Sequence, residues 1–100
     1  MKKTVFEWVG LHSDVVEHAY ENAREFCKGL GLALEFEALT DDDLTAELSH
    51  CFDWGMPTDS FIFAIFNLAK KIIREAEPTK KIGWCINGYK SRLYEKSGGE

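Results

Sequence analysis

LALEFEAL, residues 32 to 39, settles whether this chain builds an extended sheet. Leu32, Leu34 and Phe36 alternate with Ala33, Glu35 and Glu37, and a two-residue repeat marks a strand with one buried face. Leu, Ala and Glu are also strong helix formers, so composition pulls the other way. The alternation predicts a strand, with Glu35 and Glu37 on its outer face.

Upstream, Thr4 to Val9 is short and rich in β-branched and aromatic residues, which predicts a first strand. Between the two strands, Ser13 stands as an N-cap, and Asp14 and Glu17 occupy a first turn where the helix dipole favours carboxylates. Val16, Ala19, Tyr20, Ala23, Phe26, Cys27 and Leu30 then keep the three-four rhythm of one buried helical stripe, closed by Gly29 and Gly31. A strand-helix-strand unit of this length pairs its strands in parallel through a right-handed crossover.

Downstream, Thr40 and Asp43 have capping-box spacing with Asp41 and Asp42 between them, which predicts a second helix burying Leu44, Leu48, Cys51 and Phe52. It stops near Trp54 and Gly55, and Pro57 blocks its continuation. Asp59 or Ser60 caps a third helix. Its first turns, Phe61 to Phe66, are apolar all round, so it is either the centre of the core or a homodimer contact. The same six residues could form a strand, but the stripe Ile62, Ile65, Phe66, Ala69, Ile72, Ile73 and Ala76 continues past Lys70 and Lys71 to Pro78 and favours helix.

Asn87-Gly88 suits a two-residue type I′ turn and predicts a hairpin pairing Ile86 with Tyr89, Trp84 with Ser91 and Ile82 with Leu93. One face is then largely apolar; the other carries Lys81, Gly83, Cys85, Lys90, Arg92 and Tyr94, so Lys90 and Arg92 can meet Glu35 and Glu37 across strands. The predicted fold is α+β in the order β-α-β-α-α-β-β, a four-stranded mixed sheet with three helices on one face. Residues 1–96 form a single domain and 97–100 a loose tail.

The 100 residues, 45% hydrophobic with 13% aromatic, carry enough apolar area to offset chain entropy without a metal or disulfide. The run after Met1-Lys2-Lys3 is interrupted by Glu7, so no signal sequence forms, and no apolar stretch is long enough to span a membrane. Three cysteines at wide spacing, Cys27, Cys51 and Cys85, offer no C-x-x-C pair and point to a reducing cytoplasm. Net charge is −5, unevenly spread: residues 1 to 60 hold thirteen acids against four Lys/Arg, residues 61 to 100 four acids against eight. Phosphate or nucleic-acid binding is therefore disfavoured unless the C-terminal bases gather on one face.

The motifs for chemistry are sparse. No glycine-rich phosphate loop, nucleophile elbow or H-E-x-x-H occurs, so no enzyme and no bound cofactor is expected. His50 and Cys51 are helical neighbours about 100 degrees apart and cannot act as base and nucleophile on one another. Glu47 with His50 and Asp14 with His18 have spacings that permit metal ligation, but sharing an ion would turn the polar sides of both helices together and expose both apolar stripes. Asp41, Asp42 and Asp43 lack the glycine and glutamate of a calcium loop and read as capping residues. Trp54 and Met56, flanked by acids, suit a loop folded back over the core, which large aromatics favour in a small domain, or else a contact loop in which the large groups anchor and the charges steer. The expected function is a non-enzymatic protein-protein interaction module of inhibitor, immunity or adaptor type. It would meet a basic partner through Asp41, Asp42, Asp43, Glu47, Asp53, Trp54, Met56 and Asp59. The alternative is a small-ligand or metal-binding domain with a pocket between the sheet and helices two and three.

Overall fold

The computed structural model describes residues 14–49 and 57–96. Within them the order is α1 (Asp14–Gly29), α2 (Ala33–Glu37), α3 (Asp41–Leu48), α4 (Pro57–Ala76), β1 (Ile82–Cys85) and β2 (Arg92–Glu95). A 3-10 turn, Gly88–Lys90, joins the strands. The fold remains α+β, but among the described residues it has four helices and a two-stranded antiparallel sheet, in place of a four-stranded sheet under three helices. The strand expected at Thr4 to Val9 and the tail at 97–100 lie outside the described residues.

The 32–39 stretch supplies the main correction. It folds as α2: the Phe36 N–H donates to the Leu32 carbonyl at 3.1 Å and the Ala38 N–H to the Leu34 carbonyl at 3.1 Å. Leu32 and Phe36, four residues apart, are buried while Leu34 is 80% exposed, so the operative period is helical. The cause lies just upstream. Gly31 adopts φ +77°, the Leu32 N–H reaches the Cys27 carbonyl at 2.8 Å, and the Gly31 N–H reaches the Lys28 carbonyl at 3.0 Å. This paired closure of α1 folds the chain back at once and leaves Leu32 buried beside the helix it ends. With no run of chain in which to reach a sheet edge, the helix-forming composition prevails. Glu37 consequently lies 3.9 Å from Arg24 of α1, not beside Lys90 and Arg92.

The α1 stripe is as read: Val16, Ala19, Tyr20, Ala23 and Cys27 are buried. Phe26 and Leu30 pack at its margin. α4 is the central element, burying Ile62, Ala64, Ile65, Phe66, Leu68, Ala69 and Ile73. Phe61 and Phe63 pack partly buried against this core. α4 begins at Pro57, where a missing N–H costs nothing, which puts Asp59 in the first turn and not at the cap. Tyr20 and Phe36 meet with ring centroids 5.1 Å apart, fastening α2 to α1.

The hairpin keeps its faces but not its register. Trp84 pairs with Leu93, Ile82 with Glu95 and Gly83 with Tyr94, two residues away from the two-residue-turn pairing. Asn87 has φ −156° and only Gly88, at +54°, is left-handed, so the type I′ turn does not form. The buried Ser91 hydroxyl fixes the longer loop, accepting from the Asn87 N–H at 2.8 Å and donating to the Gly88 carbonyl at 2.9 Å. A slip of two residues preserves which side chains face inward. Ile82 and Leu93 are buried, and Trp84 meets Phe63 of α4 edge-on at 5.2 Å. β2 is tied to α1 where Asn22 Oδ1 accepts the Leu93 N–H at 2.8 Å.

Burial pushes the Tyr20 hydroxyl up to about 12, against the opposing pull of Arg24, and the Cys27 thiol up to about 11, with Glu35 adding to it. Both groups are neutral acids whose native value is raised. Their contribution is whole below the unfolded value, 9.0 for the thiol, and is lost as pH climbs through the native one. Urea midpoints measured from pH 8 upward are expected to hold to about pH 9 and then fall. Cys27→Ala should delay the onset toward the tyrosine range.

Candidate functional site

The eight C-terminal bases are dispersed in sequence, yet five of them converge. Lys70 and Arg74 lie one turn apart on α4, and Lys80 and Lys81 lead into β1. Lys96 follows β2, its N–H donating to the Lys81 carbonyl at 2.8 Å, so that Lys81 and Lys96 form the next cross-strand pair beyond Ile82 and Glu95. Together with Ile82 these five cations line a cavity of about 220 Å³ between the C-terminal half of α4 and the open end of the hairpin.

Neutralisation there is partial. Lys80 is matched by Glu95 at 3.3 Å and Glu77 at 3.8 Å. Lys70, Arg74 and Lys96 make no ion pair among the described residues. Burial lowers the Lys70 ammonium from its ordinary value, and the charges of Lys96 and Arg74 press in the same direction. Three like charges held together without counter-charge form a local positive potential in an acidic chain.

A second cavity, about 260 Å³, adjoins the first and shares Lys70 and Lys96 with it; Gly83, Trp84 and Tyr94 complete its wall. A Cβ at position 83 would come within 2.8 Å of Tyr94 Cζ and of Lys96 Cε. The absent side chain therefore lets the tyrosine ring and the lysine stem lie flat across β1. Tyr94 stays 39% exposed, with the Arg92 guanidinium 5.9 Å from its ring centroid.

The acidic residues expected to steer a partner are placed differently. Asp42 and Asp43 are exposed at the start of α3. Asp43 Oδ2 accepts from the Thr40 N–H at 2.8 Å, and Thr40 Oγ1 accepts from the Asp43 N–H at 3.4 Å, completing the capping box. Asp41 opens that helix and Asp59 is half-buried in the first turn of α4. Glu47 lies inside: it is 3% exposed and faces α4, accepting from Asn67 Nδ2 and Lys71 Nζ, both at 2.5 Å. The signal was available, since Glu47 falls three residues after Leu44 on the same inward stripe. Asp53, Trp54 and Met56 lie outside the described residues, as do His50, Cys51 and Phe52. Among the described residues no three His, Cys, Asp or Glu side chains gather as metal ligands. His18 meets Tyr89 edge-on at 5.2 Å.

A separate apolar groove of about 490 Å³ runs between α2 and α4, floored by Leu32, Ala38, Ile72 and Ala76 and edged by Glu35 and Glu75. Among the described residues no helix is long and apolar enough to cross a membrane. Comparison with protein-family models, curated proteins and solved structures found no match to this chain.

Proposed function

We propose that this protein is a binding module whose ligand is a phosphate-bearing anion, seated in the cationic cavity between α4 and the hairpin. The observation that carries this reading is the convergence of Lys70, Arg74, Lys80, Lys81 and Lys96 on one cavity in a chain of net charge −5. Clustered ammonium and guanidinium groups repel one another, so an anion that joins them relieves that repulsion as well as gaining charge-assisted hydrogen bonds. The condition under which phosphate binding becomes favoured, bases drawn to one face, is met by these five residues. Catalysis is not part of the reading, which rests on the donors and the positive field of the lining alone.

Calorimetric titration with pyrophosphate tests it. Binding is expected to weaken as salt rises and to raise the melting temperature of the protein. Lys70→Glu or Arg74→Glu should weaken it at least tenfold, while Lys28→Glu, at the end of α1, leaves it unchanged. Equal losses from all three substitutions would reduce the effect to net charge.

A second reading, contact with a basic protein partner, is favoured by the apolar groove with Glu35 and Glu75 at its edges. The two readings separate in the same variants, since charge reversal at Lys70 leaves that groove intact.

A further inference from the structure

We propose that the ligand is a free nucleotide, its phosphates held by the cationic cavity and its base stacked on the Tyr94 ring. This rests on the anion-binding reading and adds to it what the second cavity contributes. The two cavities share Lys70 and Lys96, so a ligand anchored by its phosphates in the first extends directly into the second. What it meets there is flat. Tyr94 lies over Gly83 because no Cβ intervenes, and it keeps 39% of its surface open. Aromatic faces bind nucleobases by stacking, with little regard to which base is offered. Arg92 lies over the same ring, 5.9 Å from its centroid and near the outer limit of cation–π range, and it moves aside when a base stacks there. A binding pocket for a small molecule spans roughly 300–1,000 Å³, a size that neither cavity reaches alone and that the two reach together.

Charge selects the free nucleotide over a nucleic-acid strand. A further phosphate of a strand meets like charge beside the cavity, where Glu77 and Glu95 already stand next to Lys80. A strand therefore gains its first contacts and then meets like charge.

Calorimetry on the full chain, comparing pyrophosphate, ADP and an eight-nucleotide single strand, decides the matter. ADP is expected to bind at least tenfold more tightly than pyrophosphate. Tyr94→Leu should reduce ADP to the affinity of pyrophosphate while leaving pyrophosphate itself unchanged, and Tyr94→Phe, which keeps the ring, should retain the difference. If ADP and pyrophosphate bind equally, the stacking platform is refuted and the anion site stands. If neither binds, the anion site falls with it. If the strand binds more tightly than ADP, the ligand is nucleic acid and the choice of a free nucleotide is overturned. A Tyr94→Leu variant that loses pyrophosphate binding as well assigns the ring to support of the hairpin, and this too overturns the proposal.

Discussion

Replacing Phe36 with alanine is expected to cost about 3–5 kcal/mol, while Leu34→Ala changes stability by less than about 0.5 kcal/mol. The contrast comes from α2. Phe36 is fully buried against Tyr20, so truncation removes a ring from water-free surroundings and leaves a void that α1 and α4 cannot close. Leu34 is 80% exposed and loses almost nothing. Total stability for a domain of this size is about 5–15 kcal/mol, so the Phe36 variant forfeits a large share of it. Urea unfolding followed by circular dichroism measures both. In a strand, Leu34 and Phe36 would share the buried face and cost comparable amounts; equal losses would therefore reinstate the strand.

Lys71→Met is the second large effect, at about 2–3 kcal/mol. Glu47 has a side chain only 4% exposed, whereas Lys71 is 52% exposed. Removing the cation takes one charge partner from a buried carboxylate, and such losses cost about 3–5 kcal/mol when both members are inside. Here Lys71 is half in water, which weakens the pair and brings the cost below that range. Glu47→Leu with Lys71→Met should return to within about 1 kcal/mol of the parent, because apolar replacements of a buried pair are often neutral. Melting temperatures resolve this, since about 1 kcal/mol shifts a domain of this size by about 4–8 °C. A double variant as unstable as Lys71→Met alone would show that Glu47 acts through other contacts.

Local rules of the sequence carried the long elements well. α1 and α4 are long enough for a stripe at three-four spacing to repeat several times, and the Thr40 and Asp43 capping box is a contact within four residues. α2 was misread because it is five residues long, too short for the two periods to diverge. Positions 32 and 36 belong to both patterns, and only the exposure of position 34 tells them apart. The hairpin register depended on whether Asn87 would accept positive φ, and the outcome was set by the Ser91 hydroxyl, a residue outside the turn pair. The segregation of charge was visible in the sequence, but the cavity was not. Its cations come from a helix, a connection and the end of a strand, and they meet only once the hairpin docks on α4.

Asn22 and Leu93 are 71 positions apart, and their hydrogen bond closes nearly the whole described chain into a loop. The Leu93 N–H points away from β1, toward the side where a further strand would add, and an amide oxygen from α1 occupies it instead. During synthesis α1 leaves the ribosome long before β2, so the last strand arrives at a seat already built. At Leu93 a neighbouring chain then finds no open donor to recruit, because an asparagine 71 positions earlier already accepts it.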